Sequence, residues 1–291
     1  MLNFLPVAAD AEKEIGQYLE YYHFRMCDYT FITLYLWRNF FDTEYCVSDD
    51  VLYLRHNNFG GKRAYLFPIG HGDIDGAVRN ICGMERKTVF CAVSKEDSER
   101  IESITGRQTI AKKEEGWSDY LYLKDEISSF SGKKFHGQKN HVNHFKKTFP
   151  DYNYVKITKD NAADAAGFFK TFLAGAQSDL ERTELKQNID FFENFGAVES
   201  FADGGFIECG GKILACSLSE VVGDTLFIHV ERAQGSIKGA YQTMFMETSR
   251  RAPDKVVYLN REEDCGDEGL RTSKMSYHPI NLIDKYTVYV R

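Results

Sequence analysis

Residues 212–245 read KILACSLSEVVGDTLFIHVERAQGSIKGAYQTMF: two apolar runs joined by Gly223-Asp224, then a glycine-bearing loop, then a helical pattern. A Gly-Asp connector between such runs predicts a β-hairpin, Lys212–Val222 against 225–230. Pairing Val222 with Thr225 sets Leu218 opposite His229 and Cys216 opposite Glu231. His229 and Glu231 then share one face of the strand. A histidine and a carboxylate there suit proton acceptance from an amine, and equally suit a hydrogen-bonded core. After the strand, the glycines can offer backbone N–H groups to a pyrophosphate at the helix start. Gly239 with Ala240 also suits close packing of that helix on the sheet.

Outward from the hairpin, the second half predicts a strand at 154–157 and helices near 162–173 and 181–195. Strands around 197–201 and 206–209, the helix 239–250, a strand 255–259, a helix near 268–275 and a strand 285–290 complete it. The first half predicts helices at 9–22 and 29–41, strands at 44–47, 51–55 and 63–67, a helix 74–82, the strand Thr88–Val93 and a helix capped by Ser94. Helices, an antiparallel meander, a helix and another strand occur twice. We expect an α+β fold in two similar halves, 1–130 and 131–291, with no flexible linker.

The balance of 43% hydrophobic and 27% charged residues is that of a globular protein. With 22 Phe and 17 Tyr, the chain has ample apolar surface to offset chain entropy, which excludes disorder. No apolar run is long enough to cross a bilayer, and the start lacks a signal-peptide pattern, so a cytoplasmic location is expected. Seven scattered cysteines form no CxxC and no zinc-like spacing, which predicts reduced thiols with neither metal nor disulfide.

Two further segments carry chemistry. SGKKFHGQKNHVNHFKK, 131–147, holds five lysines and three histidines without a carboxylate, in a chain of net charge −7. From Phe135 it reads as a helix with Val142, Phe145 and Phe149 on its apolar stripe. It is either a solvated helix or an anion site using Lys133, Lys134 and Lys139. In YLNREEDCGDEGLRTSKMSYHP, 258–279, a strand delivers Arg261 into an acidic turn, and Arg271 and Lys274 follow at i,i+3 on a helix, where they can grip one anion.

Arg232 and Gly235 match the start of the Q/R-x-x-G-x-G/A signature of acyl-CoA-dependent N-acyltransferases, with Ile237 in its last position. DYLYL (Asp119–Leu123), SGKKFHGQKNHVNHF, GAYQ and NREEDCGDEGLRTSKMSYHP together resemble the soluble C-terminal domain family of phosphatidylglycerol lysyltransferases over nearly the full chain. The resemblance implies two tandem GNAT-like domains related to the Fem peptidyltransferases, each a mixed, mainly antiparallel sheet flanked by helices. It implies transfer of an acyl or aminoacyl group from acyl-CoA or aminoacyl-tRNA to a small amine or hydroxyl acceptor. No permanently bound cofactor is expected. Lys274, Tyr277 and Pro279 match the family's K-x-x-aromatic-x-P stretch, and Arg271 and Arg261 flank it. The expected roles are Glu231 or His229 as proton acceptor, Lys274 as oxyanion or phosphate holder, and Lys133, Lys134, Lys139, Arg261, Arg271, Tyr277 and Gly239 as substrate or anion contacts. No membrane-spanning half accompanies these residues, which argues against a lipid acceptor. The alternative is a non-catalytic GNAT-like module that binds a polyanion or nucleotide.

Overall fold

Two aspartates make the first hairpin. Asp49 and Asp50 both adopt left-handed backbone angles, φ 53° and 58°, a conformation that short polar side chains tolerate, and so join Thr43–Ser48 to Val51–Phe59. Gly60 and Gly61 make the next turn the same way, into Lys62–Tyr65. The computed structural model describes residues 2–291 and divides into two compact units. The first unit comprises 1–119, 262–268 and 282–291; the second comprises 120–261 and 269–281.

In the first unit one sheet runs in the order Leu5–Pro6, Thr43–Ser48, Val51–Phe59, Lys62–Tyr65, Thr88–Val93, Tyr286–Val290, Thr109–Lys113. A parallel contact joins Lys62–Tyr65 to Thr88–Val93 at Tyr65 and Phe90. The crossover is the helix Ile74–Met84, whose first turn is capped by Asp73 accepting from the Gly76 N–H. That helix and Lys95–Thr105 cover the sheet with Val78, Ile81 and Ile101, against Phe90, Val93 and Val288, all fully buried. Each such side chain contributes roughly 1.5–3 kcal/mol through burial.

In the second unit the strand order is Asp119–Leu123, Tyr258–Asn260, Thr225–Ala233, Lys212–Val222, Asp203–Cys209, Asn153–Lys156. Helix Ala240–Arg251 is the crossover between the parallel strands Thr225–Ala233 and Tyr258–Asn260. Phe245 from this helix and Val142 from His136–Thr148 meet Leu226, Ile228, Leu259 and Tyr277 in one core.

The α+β class and the repeated order of elements are as expected from sequence. Three differences have local causes. The expected strand at 197–201 is a 3₁₀ turn, Phe195–Ala197, followed by irregular chain. Helix 29–41 breaks at Trp37 into Phe31–Leu36 and Arg38–Phe41. The compact units do not part at residue 130. Tyr286–Val290 pairs with Thr88–Val93 and Thr109–Lys113, so a distant segment belongs to the first unit.

Candidate active site

The hairpin register explains the site. Val222 pairs with Thr225 and Ser219 with Ile228, but the next pair is Leu218 with Val230, so His229 is an extra residue in a β-bulge. Glu231 therefore pairs with Ser217, not Cys216, and Leu218 faces Val230, not His229. A one-residue insertion reverses which side chains point to which face. His229 stacks with Phe227 at 6.4 Å and lies 3.5 Å from the Glu220 carboxylate. Glu231 instead reaches Arg261, which lies over Phe245 and Tyr277 on the face that Leu226 and Ile228 share. The expectation that His229 and Glu231 act from one face is corrected: the bulge separates them.

The parallel strands pair at Thr225–Tyr258, Leu226–Leu259 and Phe227–Asn260, and then diverge. Beyond that point Arg261 turns its N–H to the Tyr120 carbonyl and its side chain back toward the hairpin strand. Nη2 of Arg261 donates to Oε1 of Glu231 at 3.0 Å, spanning the opening. The guanidinium stands 4.2 Å from the Phe245 ring and 4.9 Å from the Tyr277 ring. Both side chains are more than nine-tenths buried, yet Oε2 of Glu231 and Nη1 of Arg261 have no hydrogen-bond partner. One buried acceptor and one buried donor of the same ion pair are thus left without partners.

Burial pushes the Glu231 carboxyl above its ordinary range, against the pull of Arg261 and then Lys274. Burial opposes the charge of Arg261, but Glu231 and the two tyrosines hold it protonated. Burial likewise raises the Tyr277 phenol to about 12.

Lys274 is also buried, and its Nζ donates to the Arg261 carbonyl at 2.6 Å. Tyr122 Oη and the Tyr277 N–H both donate to the Lys274 carbonyl. Lys274 therefore fixes the backbone that carries Arg261. Arg271 is exposed on the same helix, Glu268–Met275, so the expected shared grip on one anion is not formed: one cation points in and the other out. Lys133 and Lys139 are exposed, whereas Lys134 pairs at 2.7 Å with Glu126 of the preceding helix, an acid outside the basic segment. Gly239 adopts φ +86°, and a Cβ there would stand 2.2 Å from the His141 carbonyl. Close approach to the helix His136–Thr148 accounts for this glycine, whereas the sequence reading placed the packing of its helix against the sheet.

Sequence reasoning missed a cluster in the first unit. Cys27, Asp119 and Glu263 bring their ligand atoms within 4.8 Å of one another. The centre is taken by Lys285 Nζ, 2.6 Å from Asp28, 2.7 Å from Asp119, 3.1 Å from Cys27 and 3.4 Å from Glu263. Burial works against the Lys285 charge, but these neighbours hold its pKa well above the ordinary lysine value. An ammonium group thus fills the position a cation would take. The contributing residues are far apart in sequence; the one available signal was a lysine at the head of an apolar strand.

Two units with mixed sheets flanked by helices, one of them opening between parallel strands at a buried polar pair, make an α+β fold of the kind also seen in FemX. Within that class, the chain belongs to the family described as phosphatidylglycerol lysyltransferase, C-terminal, which matches residues 19–289. It is similar to a conserved protein of unknown function from Bacteroides thetaiotaomicron VPI-5482, with 30% identity, TM-score 0.93 and full coverage of both chains. It is similar in fold to L-PGS from Bacillus licheniformis (14% identity, TM-score 0.67, covering 98% of this chain and 92% of that one). It is also similar in fold to FemX (8% identity, TM-score 0.63, covering 98% and 97%). A curated relative, the uncharacterized protein MYCGA3080 of Mycoplasmoides gallisepticum, is 22% identical over 181 residues; the match covers 60% of this chain and 57% of that protein's length. Among the described residues no helix is long and apolar enough to cross a membrane.

Proposed function

We propose that this protein is a transferase that moves an acyl or aminoacyl group from acyl-CoA or aminoacyl-tRNA to a small amine or hydroxyl. The observation that carries the reading is the pair Glu231–Arg261 at the strand opening, with one oxygen and one nitrogen left without partners. A buried carboxylate with a raised pKa and a free oxygen is suited to accept a proton.

In the proposed step Glu231 Oε2 takes the proton of the acceptor N–H or O–H as the heteroatom bonds to the donor carbonyl carbon. Arg261 Nη1 donates to the developing oxyanion. Collapse of the tetrahedral species breaks the bond to the CoA sulfur or the tRNA ribose oxygen, and the proton leaves with that group. Lys274 is a positioning residue, acting through the Arg261 carbonyl. Exposed Lys133 and Lys139 would contact the phosphates of the donor.

The test is turnover of acetyl-CoA and of bulk aminoacyl-tRNA against a panel of amines, with the wild type and Glu231→Gln. We expect one donor to be consumed and the substitution to lower its kcat on the order of 10²–10⁴-fold. Equal turnover by the two proteins would remove Glu231 from the chemistry. Consumption of neither donor would leave the binding-module alternative in its place.

A further inference from the structure

Strand polarity gathers cations at one end of the first unit's sheet. Lys62–Tyr65 and Thr88–Val93 run parallel, so Lys62, Arg63, Arg86 and Lys87 lie at or just before their N-terminal ends. Tyr286–Val290 runs antiparallel to Thr88–Val93 and ends beside Thr88, which adds Arg291. These five cations line a half-open groove of about 1360 Å³. Among the described residues the one acidic side chain in its lining is Glu85, which is already bonded to Arg63 and the Tyr65 hydroxyl. Among the described residues no carboxylate is paired with Lys62, Arg86, Lys87 or Arg291. This concentration stands in a unit whose acids outnumber its bases.

The groove has an apolar floor. Tyr289 pairs with Val89 on one side and Ile110 on the other, and all three line the groove as a row across three strands. Lys62 Nζ stands 5.9 Å from the Tyr289 ring centroid, and Ile110 is 41% exposed. A half-buried tyrosine on a sheet face, rimmed by four cations with no side-chain carboxylate paired to them, matches what an unpaired nucleic-acid strand requires. Its phosphates meet the rim and a base stacks on the ring. The volume exceeds the roughly 300–1,000 Å³ of small-molecule sites, which favours a polymer over a single nucleotide.

We propose that this groove binds a single-stranded stretch of nucleic acid through Lys62, Arg86, Lys87 and Arg291, with a base on Tyr289. The site goes beyond the transferase reading, because every residue in it belongs to the first unit and none belongs to the Glu231 site.

The test is fluorescence anisotropy with labelled oligo-dT and oligo-U of about 12 nucleotides across a salt series. Contact with about four phosphates predicts affinity falling about 50-fold between 50 and 200 mM salt, and about 7-fold for the double variant Arg86→Glu/Lys87→Glu. Tyr289→Leu should weaken binding about 5- to 100-fold. Preference for one oligonucleotide identifies RNA or DNA as the strand. A triple variant of exposed lysines, Lys186→Glu/Lys212→Glu/Lys255→Glu, carries equal or greater charge change in the second unit and should leave oligonucleotide affinity within about twofold. If that triple variant abolishes binding and the groove variants do not, the groove is not the site, whatever becomes of the transferase reading. Absence of binding by the wild type overturns the proposal. So does equal competition by inorganic polyphosphate combined with indifference to Tyr289→Leu, which would mean a general anion surface. Unchanged melting curves for the exposed charge variants confirm that the readings concern folded protein.

Discussion

Replacing Arg261 by Met tests the physical basis of the candidate site. Methionine keeps the contacts with Phe245 and Tyr277 but removes the guanidinium that bonds Glu231 at 3.0 Å. Breaking a buried pair from one side costs about 3–5 kcal/mol, because the remaining charge loses its partner inside the protein. At about 2–4 °C per kcal/mol, the midpoint of thermal unfolding should fall on the order of 10 °C at pH 8. The pH dependence is the sharper signature. The Glu231 pKa is already raised in the folded protein, so its folded state holds the proton more tightly than the unfolded chain does. Its contribution is therefore fully present below the unfolded carboxyl value and lost as pH rises through the folded one. Removing Arg261 takes away the largest opposing influence, and the folded pKa rises further. Arg261→Met should then approach wild-type stability at pH 5 and diverge from it toward pH 8. Thermal and urea unfolding by fluorescence at pH 5, 6, 7 and 8 measures this. A deficit that is flat across that range would refute the assignment of a buried, charge-bearing Glu231, and so would no deficit at all.

Other expectations follow from single contacts. Lys285→Met leaves buried Asp119 and its neighbouring acids without their common cation, at a cost of about 3–5 kcal/mol at pH 8. Burial already raises the Asp119 pKa, so the deficit should shrink as pH falls and these carboxyls protonate; unfolding at pH 5 and 8 checks it. Gly239→Ala drives a methyl into the His141 carbonyl at a left-handed φ and should cost at least about 1–3 kcal/mol. Gly235→Ala, with open space around it, should stay within about 0.5 kcal/mol of wild type in the same denaturation assay. His229→Gln should retain turnover within about tenfold of wild type, since the bulge points His229 away from the Glu231 face. A loss as large as that of Glu231→Gln would return the histidine to the chemistry.

The second unit's hairpin was legible because glycine and aspartate fix turns locally: Gly223-Asp224 sits where its residue types require. The basic helix and its apolar stripe through Val142 and Phe145 were equally plain from spacing. Glu231, Arg261, Lys274 and Tyr277 were each named from sequence as candidate site residues, but that the fold brings these four together, and with what geometry, was not readable. A bulge at His229 depends on how two strands accommodate one extra residue, and no residue type announces it. Lys274 reads as a surface lysine, and its burial depends on the Arg261 carbonyl and the Tyr120 ring standing where they do. The Lys285 cluster was hidden for a different reason: Cys27, Asp119, Glu263 and Lys285 span most of the chain and meet only through the fold.

The insertion of Tyr286–Val290 between Thr88–Val93 and Thr109–Lys113 has a consequence in time. The two flanking strands are synthesised about 170 and about 190 residues before the strand that joins them. At about 5–20 residues per second, these intervals last about 10–30 s on the ribosome. Until then Thr88–Val93 has an unsatisfied edge along its buried, apolar length, and Thr109–Lys113 has no partner at all. Such an edge is a template for pairing with another chain. The first unit's sheet is therefore closed only after residues 120–281 of the second unit have been made, and until then it carries an edge open to mispairing.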